Sequence, residues 1–567
     1  MNVCLHSIAD NGEGAFDMMP PDTMRYRKLF PASFVAVVLC AIHPAVVAQA
    51  GKQPVDPLAP THGVKSAEEI DREWQVSVSK YDARRNSLIE EADRQAHDGP
   101  YRPDWETLRN YQIPQWYKDA KFGIFLHWGI NVVPGAVNEW YPRNMYTPGD
   151  PAYDHFQKTY GSFENLGYKD LIPKFRAEKW DPADWANLFQ HAGARYVIPV
   201  AEHHDGFSMY DSDLSDWTVV KMGPRRDTLR DLAKAVRAAG LHFGLSSHRA
   251  EHNYFFDQGR YIRSDVNDPK YASLYGPAHP WMNDPHFVTY NEGSWVSEAW
   301  TRDWLARSVE LAEKYKPEVF YFDGGIGQPT FRRSVAEFAA FYYNFASRNG
   351  IPAVINFKDY SMDWSAGARD FERSLRSGIE AQHWQTDTSI SNWSWGYMEH
   401  DDLKSADFLI HQLVDIVSKN GNLLLNVGPR PDGTIPDKVR ATLLDMGAWL
   451  DRNGEAIYAT EPWKIFGEGP TQIQTGFGHD VDTKPYTTSD FRFTRKGNNI
   501  YVISLACPED GTASVHSFGL AGEASGLKIQ DVSLLGSPEK VDWLRTTEAL
   551  NVRLPQGLPA STVLRFD

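Results

Sequence analysis

From residue 119 onward, segments with helical spacing of apolar residues alternate with short apolar runs. In the first clear unit, Asp181-Pro182 precedes a segment with one apolar face, Gly193 follows it, and residues 196–200 are apolar. An acidic cap, a proline in the first turn and a closing glycine mark the two ends of a helix. A short apolar run is typical of a strand buried on both faces. This unit therefore predicts a helix followed by a buried strand.

The same unit recurs along the chain. A second helix is predicted between Asp227 and Gly240, before a strand at 241–245. Three further helix–strand pairs are predicted at 304–315 with 319–322, at 338–345 with 353–355, and at 408–417 with 423–427. Together with the apolar run at 123–126, these repeats predict a parallel sheet covered by helices.

Polar side chains lie at or near the carboxyl ends of these predicted strands. They are His127, His203, His204, Asp205, His248, Asp323, Asn356 and Asn426. Six strand ends that meet at one site favour a closed barrel, because an open sheet collects its ligand near a single switch point. The predicted fold class is therefore α/β, an irregular (β/α)8 TIM-like barrel, with an all-β sandwich after it.

Four segments are predicted along the chain. They are a signal peptide with an upstream segment at 1–50, a linker and N-terminal helical arm at 51–100, the catalytic barrel at 101–457, and the C-terminal β-sandwich at 458–567. The arm has apolar residues near helical spacing between Ile70 and Tyr81, and we expect it to pack outside the main domain. The sandwich follows from short strand-like pieces between residues 491 and 554, which Gly, Asp and Pro separate.

Residues 24–50 have the order of a secretory signal. A basic start at 24–28 precedes an apolar run at 34–42, and Ala48-Gln49-Ala50 fits the small-residue cleavage rule. The apolar run is shorter than the roughly 18 residues that a spanning helix needs, so we expect no membrane insertion after signal removal. The protein is therefore predicted to be exported, either periplasmic or secreted. The true start, Met1 or Met24, stays open.

Composition narrows the possible functions. The 567-residue chain has a formal net charge of −16, which argues against nucleic acid as a partner. Removal of the signal would leave Cys507 as the only cysteine, so we expect no internal disulfide. Aromatic residues make up 13% of the chain, and flat rings in loops are suited to stacking on the apolar faces of sugars. The oligomeric state stays open.

Asp323 is the candidate nucleophile of a glycoside hydrolase. It follows the apolar strand at 319–322 and precedes Gly324-Gly325, so an ionised side chain would emerge from a buried strand onto a turn. Retaining hydrolysis needs one carboxylate that attacks carbon and one carboxyl that protonates the leaving oxygen, about 5 to 5.5 Å apart. The pattern alone leaves open that Asp323 caps the next helix.

A metal site is a weaker interpretation. His203, His204 and Asp205 could bind an ion, but adjacent strand residues point to opposite faces unless the strand has already ended. Contacts with sugar hydroxyls or a packed histidine are the alternatives, and chemistry without a metal fits the pattern better.

Six ordered blocks together resemble glycoside hydrolase family 29, the α-L-fucosidases. They are 121–129 (KFGIFLHWG), 139–141 (EWY), 203–207 (HHDGF), 321–324 (YFDG), 384–386 (WQT) through 394–397 (SWGY), and 422–429 (NLLLNVGP). The likeness covers about residues 116–463. It implies a retaining exo-fucosidase with an irregular barrel, a C-terminal β-sandwich, no metal and no organic cofactor.

The resemblance also implies roles for single residues. Asp323 takes the position of the nucleophile, and Glu372 lies in a segment that resembles the one with the acid/base, with Glu380 as the second candidate. Positions that hold the sugar's hydroxyls are matched by His127, Glu139, Trp140, His203 and His204, and Trp395 matches the aromatic near its methyl group. Tyr321 completes the strand-end motif and is counted with the sugar-binding residues.

Two departures from the family pattern affect the shape of the site. Ser246-Ser247-His248 replaces a region where many members have a pair of tyrosines, and Lys358 stands where an arginine often contacts the sugar. His248 is a hypothetical replacement for a lost contact. Lysine cannot make the planar, two-pronged contact of arginine.

The expected partner is a fucosylated oligosaccharide or glycoconjugate, of unknown linkage. Three other hypotheses remain: an exo-glycosidase for galactose-like sugars, a non-catalytic sugar-binding homologue, and a metal-dependent barrel hydrolase.

Overall fold

A computed structural model describes residues 59–60, 65–280, 296–358, 360–508, 510–555 and 561–567. The predicted signal peptide at 1–50 lies outside the described residues, as does most of the predicted linker that follows it.

Eight parallel strands close into a barrel, in which each strand pairs with the next and the last pairs with the first. They are β1 (Phe122–Leu126), β2 (Tyr196–Glu202), β3 (His242–Ser247), β4 (Val319–Phe322), β5 (Val354–Lys358), β6 (Ala368–Asp370), β7 (Trp384–Ser389) and β8 (Gly421–Val427). The predicted barrel is confirmed. All six strands read from the apolar pattern are present, within a few residues of their predicted bounds.

The described residues contain thirteen α-helices. They are α1 (Ala67–Val78), α2 (Asp82–Ala96), α3 (Trp105–Leu108), α4 (Gln115–Ala120), α5 (Tyr141–Asn144), α6 (Pro151–Thr159), α7 (Pro182–His191), α8 (Thr228–Ala238), α9 (Ala272–Tyr275), α10 (Glu298–Tyr315), α11 (Arg332–Arg348), α12 (Ala406–Ser418) and α13 (Asp437–Asn453). Asp181 caps α7 by accepting the backbone N–H groups of Ala183 and Asp184, and Asp227 caps α8 in the same way through Arg230. Both predicted caps are confirmed.

The barrel is irregular at one side. Strands β5, β6 and β7 follow one another without an α-helix among the described residues between them. The connections are extended, and the one after β6 contains Glu372. This irregular side therefore places a loop, rather than a helix, next to the carboxyl end of β5.

The N-terminal helices α1 and α2 pack on the outer helices of the barrel. The Trp74 ring meets the Trp300 ring of α10 edge-on, with centroids 4.9 Å apart. Arg85 of α2 lies 2.9 Å from Asp303 of α10, and the Asn344 amide of α11 donates to the Gln95 carbonyl at 3.0 Å. The arm shares the hydrophobic core of the barrel.

The C-terminal region forms two antiparallel sheets around a second core. Its strands are β9 (Glu461–Glu468), β10 (Phe491–Lys496), β11 (Asn499–Ser504), β12 (Thr512–Val515), β13 (Val532–Leu534), β14 (Asp542–Arg545), β15 (Leu550–Arg553) and β16 (Val563–Phe566). One sheet has the order β13-β16-β11-β10-β9 and the other the order β12-β15-β14. Rings of Trp463, Phe493 and Phe518 pack between them. The predicted C-terminal all-β domain is confirmed.

Among the described residues, no helix combines the length and the apolar character needed to cross a bilayer. Cys507 is the one described cysteine, and its thiol is free.

Candidate active site

Asp323 follows β4 directly, and three side chains surround its carboxylate. Its Oδ1 lies 2.5 Å from the Lys358 ammonium, and its Oδ2 lies 2.8 Å from His248 Nδ1 and 3.3 Å from His204 Nε2. Burial alone would raise the pKa of Asp323, but Lys358, His248 and His204 hold this pKa well below its usual range. Asp323 is therefore ionised at neutral pH.

The turn after Asp323 depends on its two glycines. Gly325 has a φ of +93°, which side chains rarely adopt, and a Cβ on Gly324 would lie 2.7 Å from a Glu251 oxygen. The next α-helix, α11, begins at Arg332 after Phe331. Asp323 does not cap it, so that alternative for Asp323 is wrong.

Glu372 lies two residues beyond β6, and its Oε2 is 2.5 Å from the same Lys358 nitrogen. Burial raises the pKa of Glu372 to about 7; Lys358 opposes this rise, while the charges of Asp387 and Asp323 add to it. A substantial fraction of Glu372 is therefore protonated at neutral pH.

Lys358 ends β5 and contacts both carboxyl groups, with a third carboxylate, that of Asp387, at 3.4 Å. Burial alone would lower its pKa, but the negative charges of Asp323, Asp387 and Glu372 hold this pKa well above its usual value. Since one oxygen of Asp323 and one of Glu372 each lie 2.5 Å from one nitrogen, those oxygens are at most about 5 Å apart, twice that distance.

Four histidines form a cluster beside Asp323. Strand β2 ends at Glu202, so His203 and His204 both lie beyond it and their rings are only 4.4 Å apart. The His203 ring is 5.5 Å from that of His127 and 5.2 Å from that of His248. Because the strand has ended, the alternation of side chains does not separate the two neighbouring histidines.

His127 and His203 are neutral. Burial lowers the pKa of each ring well below its usual value, and neighbouring histidines lower it further. The His127 Nδ1 lies 2.7 Å from the Asn426 amide oxygen, at the end of β8. Its other nitrogen is therefore directed away from this contact.

Glu251 is a site residue that the sequence analysis missed. Its Oε2 accepts the Tyr254 hydroxyl at 2.9 Å and lies 3.3 Å from His204 Nδ1. Burial lowers the pKa of His204, but Glu251 and Asp323 on either side outweigh it, so this pKa is raised. The series Glu251, His204, Asp323 thus places an imidazole with cationic character against the ionised aspartate.

Glu139 and two tryptophans surround this cluster. The Glu139 carboxylate accepts the backbone N–H of Trp395 at 2.9 Å and the Ser394 hydroxyl at 3.1 Å, which ties the loop after β7 to the loop after β1. The Trp395 ring lies 5.3 Å from His127, and the Trp140 ring stacks on His204 at 5.4 Å. These predicted residues are all brought together around Asp323.

Two predicted site residues have other places. Tyr321 is fully buried in the barrel, below the strand ends, and its hydroxyl donates to Asp387 at 2.9 Å. Glu380 pairs with Arg376 at 2.7 Å, and its backbone N–H bonds to the carbonyl of Lys419, which precedes β8. Glu380 therefore lies at the amino ends of the strands, opposite Asp323, and cannot serve as the acid/base.

Asp205 also turns away from the cluster. It accepts the Tyr168 hydroxyl and, at 3.0 Å, the backbone N–H of Phe207. His203, His204 and Asp205 therefore do not converge on one point, and the metal site predicted from that triplet is wrong.

The family models agree with this geometry. The model described as "Alpha-L-fucosidase" matches residues 88–455, and the model described as "Alpha-L-fucosidase C-terminal domain" matches residues 484–565. The chain belongs to the α-L-fucosidase family, glycoside hydrolase family 29. This membership makes it a glycoside hydrolase with α-L-fucosidase function, and the family resemblance seen in the sequence is confirmed.

Relatives of this α-L-fucosidase span nearly its whole described length. Tissue alpha-L-fucosidase of Rattus norvegicus is 30% identical over 475 residues, which cover 82% of this chain and 90% of the relative. Plasma alpha-L-fucosidase of Homo sapiens is 30% identical over 472 residues, covering 80% and 88%. The Thermotoga maritima alpha-fucosidase structure is 31% identical, with a TM-score of 0.66 and coverage of 82% and 100%, and its complex with fucose has a TM-score of 0.64.

Proposed function

We propose that this α-L-fucosidase is exo-acting and retaining, and removes terminal α-L-fucosyl residues from a fucosylated oligosaccharide or glycoconjugate by double displacement. One observation supports this most directly: Lys358 contacts one oxygen of Asp323 and one of Glu372, so these oxygens are at most about 5 Å apart. Retaining enzymes separate their carboxyl groups by about 5 to 5.5 Å, and inverting ones by about 6.5 to 9.5 Å to admit a water. The distance favours retention.

In the first step, Asp323 attacks the anomeric carbon and the glycosidic bond breaks. The leaving oxygen takes the proton from Glu372, whose pKa of about 7 lets it hold that proton near neutral pH. The product is a covalent ester between the sugar and Asp323. The Glu372 side chain is more exposed than that of Asp323, 21% against 12%, as expected for the group on the side of the leaving aglycone.

In the second step, Glu372 acts as a base. Esterification removes the negative charge of Asp323, which is one of the charges that raise the pKa of Glu372. The pKa of Glu372 therefore falls in the intermediate, and its carboxylate takes a proton from water. This water attacks the same carbon, the ester bond breaks, and Asp323 leaves as a carboxylate. Two displacements restore the original anomeric configuration.

The neutral rings of His127 and His203 are suited to accept hydrogen bonds from sugar hydroxyls, with Glu139, Trp140, His204, His248 and Lys358 around them. In this proposal Trp395 packs near the methyl group of fucose. The complex of the Thermotoga maritima relative with fucose supports this choice of sugar.

The Asp323→Ala variant tests the assignment of the nucleophile. With an aryl α-L-fucoside, we expect the activity to fall by at least about 10³-fold, because no ester can form. Azide should restore turnover by replacing the carboxylate and should give the fucosyl azide of inverted configuration. NMR of the wild-type reaction should show the α-anomer of free fucose first. Full activity in the variant, or the β-anomer first, would refute the proposal.

We further propose that the chain is exported, either periplasmic or secreted, through the signal at residues 24–50. When the whole reading frame is expressed in a bacterial host, N-terminal sequencing of the mature protein should begin at Gly51. A cytoplasmic product that keeps Met1 or Met24 would contradict export.

A further inference from the structure

We propose that His127, His203 and His248 together form a binding site for a divalent transition-metal ion of the zinc type, and that the bound ion blocks the sugar pocket. The binding of the ion is independent of the proposed function, whereas the inhibitory effect rests on it. The three rings are buried, and one ligand nitrogen from each lies within 4.8 Å of the others.

The spacing of the three nitrogens is close to what an ion requires. Zinc binds histidine nitrogens at about 2.0 to 2.1 Å in a tetrahedral arrangement, which separates neighbouring ligand nitrogens by about 3.4 Å. Small ring rotations would bring nitrogens within 4.8 Å to that separation. The fourth position would remain for water, as in other sites with three histidine ligands.

Asn426 fixes the tautomer of His127. The amide nitrogen of Asn426 donates to the Trp395 carbonyl at 2.6 Å and to Ser389 Oγ at 3.0 Å, so its oxygen is the atom that faces His127. That oxygen accepts both the backbone N–H and Nδ1–H of His127. The lone pair is therefore on Nε2. Metal-binding histidines commonly anchor their second nitrogen on a carbonyl or carboxylate in this way.

His248 has a similar arrangement. Its Nδ1 lies 2.8 Å from the Asp323 carboxylate, and its Nε2 is buried without a hydrogen-bond partner among the described residues. The buried Nδ1 of His203 also lacks a partner in the described part of the chain. Buried nitrogens without partners are unfavourable, and an ion would satisfy them. The negative charge of Asp323 next to His248 further favours a cation.

The neighbouring set of His204, His248 and Asp323 is less suitable. Both nitrogens of His204 already face carboxylates, Glu251 on one side and Asp323 on the other. Asp323 is in turn engaged by Lys358. Neither His204 nor Asp323 has a free lone pair directed to an ion, so the three-imidazole set is the one we propose.

Cobalt(II) and zinc salts are the probes for this site. The chelator-treated, dialysed full chain should bind one equivalent of Co²⁺ with the visible absorption of four-coordinate cobalt, and Zn²⁺ should displace it. The His248→Ala variant should bind at least about tenfold more weakly. His191→Ala, which removes an exposed histidine in the last turn of α7, is the matched control and should bind as the wild type does. A second variant, His127→Asn, covers the case in which His248→Ala does not fold.

Zinc should also inhibit competitively, raising KM for an aryl α-L-fucoside without changing kcat, and a chelator should reverse the effect. The inference is overturned if the wild type binds no cobalt, if His248→Ala and His127→Asn bind it as tightly as the control, or if zinc lowers kcat alone. Because cobalt absorption needs no turnover, loss of the proposed mechanism would leave this test intact.

Discussion

Asp323 and Glu372 share one ammonium group, that of Lys358, but differ in their other neighbours. Asp323 also faces His248 and His204, which favour its charged form, whereas Glu372 faces the negative charges of Asp387 and Asp323. The pKa values of the two carboxyl groups are therefore driven in opposite directions. Two chemically similar side chains thereby become a nucleophile and an acid at the same pH.

This difference predicts the pH dependence of activity. The active form has Asp323 ionised and Glu372 protonated, so kcat/KM should fall as the pH rises through about 7. The acidic limb should lie at low pH because the pKa of Asp323 is depressed. In Glu372→Gln we expect the basic limb to disappear and turnover of substrates with poor leaving groups to fall by about 10² to 10⁴-fold. Rates over a range of pH provide the measurement.

Glu380→Gln is the matched control, because Glu380 was the second candidate for the acid and lies at the opposite end of the strands. Its pH profile should equal that of the wild type. A basic limb that disappears in Glu380→Gln, or persists in Glu372→Gln, would contradict the assignment.

Glu251 should act through His204 on Asp323. Glu251→Gln removes one of the two carboxylates that raise the pKa of His204, so His204 would support the charge of Asp323 less well. We expect the acidic limb of kcat/KM to move to higher pH, and kcat/KM at its optimum to fall about tenfold. Glu318→Gln is the control, since Glu318 also pairs with a histidine, His242, at 2.7 Å, but just before β4. Equal profiles for the two variants would show that Glu251 has only a structural role.

Residues directly after apolar strands could be predicted from the sequence, because the end of such a strand is visible in its pattern. Asp323, His127, His203, His204 and His248 are of this kind. Glu251 lies in a 3-10 segment beyond β3, where no periodicity marks it. Asp387 lies in a strand whose polar residues gave no apolar signal. Their roles come from contacts between distant parts of the chain.

At the scale of elements, β6 and β7 were not predicted. Their sequences, Ala-Arg-Asp and Trp-Gln-Thr-Asp-Thr-Ser, are largely polar although most of these residues are buried. Gln385 explains part of this, because it accepts the hydroxyls of Tyr117 and Tyr196 and donates to Asp370. Hydrogen bonds inside the barrel allow polar strands there, and a hydrophobic pattern cannot detect them.

The arm helix α2 is joined to the barrel by a buried ionic network. Asp303 of α10 lies within 3.2 Å of three arginines, Arg85, Arg249 and Arg307, and Arg249 follows the site residue His248. Burial alone would raise the pKa of Asp303, but the three arginines lower it. Its stabilising effect is therefore present at neutral pH and is lost as the pH falls from its unfolded-state pKa towards the depressed native one.

Asp303→Asn should lower the free energy of unfolding by about 3 to 5 kcal/mol at pH 7, because it leaves buried arginines without their counter-ion. Urea unfolding measures this change. Asp82→Asn is the control, since Asp82 contacts the same Arg85 from a position that is 57% exposed. We expect a change below about 1 kcal/mol there. Similar losses in both variants would refute the importance of burial.

At the scale of the whole molecule, the C-terminal region supports the active-site loops. The Asp480 carboxylate lies 2.7 Å from Lys404 and accepts the Thr388 hydroxyl of β7 at 2.5 Å. Its backbone N–H donates at 3.1 Å to the carbonyl of Arg373, the residue after Glu372. The segment between β9 and β10 therefore holds the loop of the proposed acid, which could not be predicted from patterns within either domain.

The formation of a covalent bond to Asp323 is the central claim. A 2-fluoro-fucosyl substrate with a good leaving group slows the second step more than the first, so the intermediate should accumulate. Mass spectrometry of the intact chain should then show the added mass of one fluorofucosyl group, and peptide mapping should locate it on Asp323. An unmodified chain during turnover, or a label on another residue, would contradict the account.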